Sequence, residues 1–92
     1  MTSTVQSKDV REFVVTTLVQ EMNLFVDTDA LTDDSPIGTG GIDLESLSLV
    51  ELMLRLEREY DVKIPDSDIE AIGSMTLGQL VDDVLKRTAS AA

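Results

Sequence analysis

From Val10 onwards the apolar residues Val10, Val14, Leu18 and Met22 recur at every fourth position, and Phe13, Val15 and Val19 widen the stripe. That period places them on one helix face and predicts an element from about Val5 to Met22. Its β-branched residues are mediocre helix formers, so packing must hold it. A second stripe, Leu49, Leu52, Met53, Leu56 and Tyr60, falls together within a helix predicted from about Ser46 to Tyr60. Leu47 and Leu54 fall at one margin of this stripe with Glu51 and Arg58 beside them, a mixed strip on the border of the exposed face. After an extended step at Ile64-Pro65, a short helix is expected from about Asp66 to Ile72, ended by Gly73. The last helix is the best signposted: Thr76 and Gln79 form a capping box, and Met75 is placed to staple onto Leu80. Leu77, Leu80, Val81, Val84 and Leu85 face inward, while Lys86 and Arg87 suit the negative end of the helix dipole.

Residues 24–45 carry no helical period and are punctuated by Asp33, Asp34, Ser35, Pro36, Gly38, Gly40 and Gly41. Connections beyond about 12–15 residues are uncommon in small domains and tend to be functional. Leu24, Phe25, Val26, Leu31, Ile37 and Ile42 are scattered through this one, so it is expected to pack across the helices. The pattern gives an all-α chain, three main helices and a short one. It forms one domain over residues 5–87, with small polar ends at 1–4 and 88–92 expected to fray.

Composition narrows what such a domain can do. The chain has 92 residues, of which 42% are hydrophobic, 27% charged and 3% aromatic, so its core must be aliphatic. A chain this short buries only about 60–65% of its unfolded surface, too little to enclose a deep catalytic cavity as well. Eighteen acidic residues against seven basic ones give a net charge of −11. That sign disfavours nucleic acid and anionic membranes and favours partners with basic surfaces. The absence of cysteine excludes disulfides and thiolate metal sites and fits a reducing compartment. No secretory pattern opens the chain and no apolar run approaches a membrane span, so a cytoplasmic protein is expected.

The chain also lacks histidine, which leaves a serine nucleophile without its usual base; an enzyme is not expected. A calcium-binding loop needs alternating oxygen ligands, a glycine in sixth place and a glutamate in twelfth. Registers starting at Asp27 and Asp66 put Thr32 and Ala71 in sixth place and Gly38 and Leu77 in twelfth, so both fail.

Ser46 is the residue that stands out. It follows Gly40, Gly41, Asp43 and Glu45 and heads the second helix. Serine is a preferred helix cap, and capping accounts for it on residue chemistry alone. The start of a helix also favours anions, phosphate above all, and a phosphodiester on the Ser46 hydroxyl would sit where the helix stabilises it. Ser35, Ser48 and Ser74 are weaker candidates: a turn before Pro36, a position inside the first turn, and the approach to the last helix.

The stretch GGIDLESLSLVELMLRLEREYDVKIPDSDIEAI resembles the acyl carrier protein family. Glu45-Ser46-Leu47 matches the modification motif, Val50-Glu51-Leu52 the helix after it, Tyr60-Asp61 the aromatic–acidic step and Ile64-Pro65-Asp66 the proline turn. TLGQLVDDVL is similar to the family's last helix. The resemblance implies a four-helix bundle of acyl-carrier type, with a long loop between helices one and two. It implies that Ser46 carries a 4′-phosphopantetheine arm, taken from coenzyme A by a phosphopantetheinyl transferase. Acyl groups would ride on the arm's thiol as thioesters, which accounts for a carrier without cysteine. It further implies that Glu45, Leu47, Glu51 and Leu54 contact acyltransferase- or ketosynthase-type enzymes with basic docking surfaces, and that the carrier is a monomer. Glu45 stands where the family usually has aspartate, and Arg55 and Arg58 interrupt a commonly more acidic face. These departures point to a dedicated set of partners, in polyketide or related secondary-metabolite assembly. Fatty-acid synthesis is the alternative, and an unmodified acidic interaction module the alternative of a different class.

Overall fold

The structure, a computed structural model, describes residues 5–38 and 40–90. The expected frayed end at 1–4 lies outside the described residues, as do 91–92. Helix α1 spans Ser7–Thr16 and runs on through a π-helical turn at Thr17–Glu21. Asn23, at φ 55°, then reverses the chain, and the Leu24 N–H reaches the Leu18 carbonyl at 2.9 Å. A single 3₁₀ turn, Thr28–Ala30, interrupts the long loop. Helices α2 (Ser46–Tyr60), α3 (Asp66–Gly73) and α4 (Leu77–Ser90) follow. No strand is present among the described residues, so the chain is all-α as its pattern predicts, and its four α-helices agree with the bundle that the resemblance implies.

Both main stripes face the core. Val10, Val14 and Leu18 of the first element and Leu49, Leu52, Met53 and Leu56 of α2 are buried, with Leu77, Leu80, Val81 and Val84 of α4 closing the cluster. Tyr60 is half-buried and meets Phe13 edge-on, ring centroids 5.6 Å apart. Desolvation raises the Tyr60 phenol above its ordinary value, and the carboxylates of Glu59 and Asp9 push the same way. Tyr60 is the chain's one tyrosine and there is no tryptophan, so absorbance of the tyrosinate reads it alone. The titration midpoint is expected above about 10, the value for free tyrosine; a midpoint at or below that value would contradict this packing.

The ends of the helices follow from local chemistry. Asp61 closes α2 in the left-handed region at φ 53°, and the Val62 N–H returns to the Glu57 carbonyl. The Glu57 carboxylate accepts the Ile64 N–H at 2.9 Å and so fixes the turn into Pro65. The capping box is complete: the Gln79 N–H donates to Thr76 Oγ1 at 3.2 Å, and the Thr76 N–H to Gln79 Oε1 at 3.0 Å. Arg87 lies in the last turn of α4, where the dipole favours it, and also reaches across to α3. It donates to Asp83 at 2.6 Å, to Asp68 at 3.0 Å and to the Lys63 carbonyl at 3.0 Å. Helix α4 continues through 88–90, which the sequence pattern leaves as part of a fraying end, and the Thr88 hydroxyl bonds to the Leu85 carbonyl.

Candidate functional site

The long loop is built into the bundle by backbone hydrogen bonds. Pro36 and Thr76 form an isolated antiparallel bridge. Around it the Ile37 N–H donates to the Met75 carbonyl at 2.9 Å, Leu77 N–H to Ser35 at 2.8 Å and Gly78 N–H to Asp33 at 2.9 Å. Arg11 of α1 adds a bond to the Leu31 carbonyl at 3.1 Å and a 3.5 Å ion pair with Asp33. Ile37 is fully buried, and Leu24, Val26, Leu31, Ile42 and Leu44 pack partly against the core. The expectation that the loop crosses the helices therefore holds for most of its apolar residues. Phe25 is the exception and stands fully exposed.

The last part of this loop folds back on itself and aims the start of α2. The Ile42 N–H donates to Pro36, Leu44 to Ile37 and Asp43 to Gly38, all between 2.9 and 3.0 Å. Asp43 takes a left-handed φ of 59° and accepts the Gly40 N–H on its carboxylate at 3.1 Å. Glu45, extended at φ −76° and ψ 163°, occupies the cap position and makes no side-chain capping bond. Its carbonyl accepts the Leu49 N–H at 2.8 Å, the first bond of the helix.

Ser46 is thus the first residue of the helix, and not its cap. Its side chain is exposed and its hydroxyl makes no hydrogen bond to any described residue. The N–H groups of the opening turn have no intrahelical acceptors and carry the positive end of the dipole. No acidic residue lies in that turn to compete for them. A phosphodiester esterified to this oxygen fits the residues present: the oxygen is open to solvent, unspent, and set against free backbone donors. The competing serines are placed differently. Ser35 spends its Oγ on the Thr32 N–H at 2.9 Å, and Ser48 is half-buried. Ser67 and Ser74 are exposed, remote in sequence from the glycine-rich approach.

One open face of α2 collects the other candidates. Glu45, Leu47, Glu51 and Leu54 are all exposed, Leu47 at 84% and Leu54 at 53%. The two leucines, expected at the margin of the core stripe, lie on the outer face instead, because at about 100° per residue both fall on the side of the helix away from Leu49–Leu56. Val50 joins them at 38% exposure. Sequence reading passed over Val50, although it lies three residues after Leu47 and four before Leu54, the spacing of a second apolar stripe. Glu51 is not free. Arg55, one turn on, holds its Oε2 from Nη2 at 2.9 Å and from Nε at 3.1 Å, and also stands 3.7 Å from Glu21.

Among the described residues no cluster of side chains could hold a metal ion, and no helix is long and apolar enough to cross a membrane. Comparison with known proteins agrees with the geometry. A family model described as a phosphopantetheine attachment site matches residues 12–84. The chain is 35% identical over 79 residues to an acyl carrier protein of Chlorobium luteolum, covering 86% of this chain and 95% of that protein. It is 34% identical over 79 residues to the acyl carrier protein of Chlorobium phaeovibrioides, with the same coverage. It is 35% identical over 65 residues to that of a Picosynechococcus strain, covering 71% of this chain and 76% of that protein.

Proposed function

The chain belongs to the acyl carrier protein family, whose members carry and do not catalyse, and on that premise we propose that Ser46 is its point of attachment for the 4′-phosphopantetheine arm. The prosthetic group supplies a thiol on which acyl intermediates are held as thioesters. The chain's own part is to hold the attachment oxygen at the head of α2 and to present a recognisable surface beside it. The observation that carries the reading is the Ser46 hydroxyl itself: exposed, without a described hydrogen-bond partner, and delivered by a loop tied to α4 through the Pro36–Thr76 bridge.

Partners in this reading are a phosphopantetheinyl transferase and then acyltransferase- or ketosynthase-type enzymes, met through Glu45, Leu47, Glu51 and Leu54. Acyl carrier proteins serve biosynthetic enzymes in general. For this one we place the service in polyketide or related secondary-metabolite assembly. Support comes from Arg55 and Arg58, which break the negative charge of the helix that follows the serine.

Incubation with coenzyme A and a promiscuous phosphopantetheinyl transferase, followed by intact-mass analysis, tests the attachment. One prosthetic group is expected by mass, and fragmentation of the loaded protein should place it on Ser46 and not on Ser35, Ser48, Ser67 or Ser74. No gain, or a gain elsewhere, overturns the assignment. Offering the loaded protein to a generic fatty-acid synthase system tests the pathway, and full turnover there would count against a dedicated assembly line.

A further inference from the structure

Resting on the reading of Ser46 and α2 above, we infer that Arg55 determines which partners dock, by withholding the Glu51 carboxylate from them. The side of α2 that leads away from Ser46 offers an apolar strip, Leu47, Val50 and Leu54, and two carboxylates, Glu45 and Glu51. Glu45 makes no capping bond and is open to a partner's cation. Glu51 already has one: both its contacts, at 2.9 and 3.1 Å, come from the same guanidinium one turn along the helix. Arg55 is only 34% exposed and is anchored on its other side by Glu21 at 3.7 Å, so its position does not depend on Glu51 alone.

The pair lies at the surface, where solvent screening leaves it little weight in folding. Its weight falls on encounter. A lysine or arginine on a partner that aims at Glu51 must displace a guanidinium already in place, and it meets an electrostatic field from which one negative charge has been removed. The surface therefore fits a partner with a cation near the serine end, opposite Glu45, and an apolar slot beyond it for Leu47, Val50 and Leu54. It does not favour a partner with a row of cations along the whole helix. Arg58 lies one turn further on, exposed and without an ion pair among the described residues. It removes the same charge from the same helix but occupies no carboxylate.

The difference between these two arginines gives the test. The full chain serves as substrate for a promiscuous phosphopantetheinyl transferase of cationic docking surface, with KM and kcat followed by mass analysis. Arg55→Gln is expected to lower KM by about two- to fivefold, the scale of one surface ion pair, with kcat unchanged and KM rising more steeply with salt. Arg58→Gln should give a smaller drop. Glu51→Gln should raise KM more in the Arg55→Gln background than in the wild type, which isolates the competition from bulk charge. Equal effects of the two arginine substitutions, or a cost of Glu51→Gln that ignores Arg55, overturn the inference. Absence of any mass gain in the wild type would instead remove the Ser46 assignment, and this inference with it.

Discussion

Ser46→Ala is expected to abolish the gain of a prosthetic group while leaving thermal unfolding unchanged or slightly higher. The two halves of this outcome separate the readings of the residue. A serine that caps a helix contributes about 0.5–2 kcal/mol through its oxygen. In a domain of this size a loss of that order would lower Tm by about 4–8 °C for each kcal/mol. The structure removes the basis for such a loss. Glu45 holds the cap position, the Ser46 hydroxyl has no described partner, and alanine is the better helix former. Loss of the modification with an unchanged Tm is the signature of a tether. A clear fall in Tm with the modification intact would restore the cap and remove the tether together.

That residue also shows where sequence reasoning reached and where it stopped. The spacing of Leu49, Leu52, Met53 and Leu56 predicts a helix where α2 forms, because one buried face imposes a period that composition cannot hide. The Thr76–Gln79 box was legible for a similar reason: both its hydrogen bonds close within a single turn. Ser46 was harder. Which residue caps a helix depends on the residue whose backbone leaves the helical region, and that is decided by the approaching chain. Here the turn through Gly40, Asp43 and Leu44 brings Glu45 in extended and makes Ser46 the first residue of the helix. The family motif located the residue; its local geometry was not written in it.

Longer-range contacts left weaker traces. Nothing periodic marks Ser35, Pro36 and Ile37 as the segment that pairs with the start of α4, since backbone groups bond alike whatever side chain they carry. Position alone suits Arg87 to the dipole of its own helix, and only the fold shows that its reach also takes it to Asp68 and the Lys63 carbonyl on the neighbouring segment. In each case the sequence supplied the chemical group and tertiary packing chose its partner.

The same loop carries the largest expected effect on the fold. Gly41→Ala would put its Cβ 2.2 Å from the Pro36 carbonyl oxygen, 2.7 Å from Pro36 Cδ and 2.8 Å from Pro36 N. These atoms cannot swing aside as the end of a long side chain could. The oxygen accepts the Ile42 N–H, and the residues flanking Pro36 bond to Met75 and Leu77 at the head of α4. Relief must therefore break the fold-back before Ser46 or shift the bridge to α4. Inserting one methyl group into packed structure costs about 1–3 kcal/mol, and overlap with the backbone oxygen, backbone nitrogen and ring of Pro36 places this substitution at the upper end. Against a total of about 5–15 kcal/mol, that is a large fraction. Gly40→Ala is the companion: its Cβ would meet nothing within 4 Å, and only its φ of +92° resists the side chain. Urea unfolding should rank Gly41→Ala well below Gly40→Ala in stability. Transferase-catalysed modification of Gly41→Ala should also slow at a temperature where circular dichroism still reports native helix, because the loop that delivers the hydroxyl loosens before the helices do. If Gly41→Ala unfolds within about 0.5 kcal/mol of the wild type and is modified at the same rate, the loop does not hold Ser46 in the way its hydrogen bonds describe.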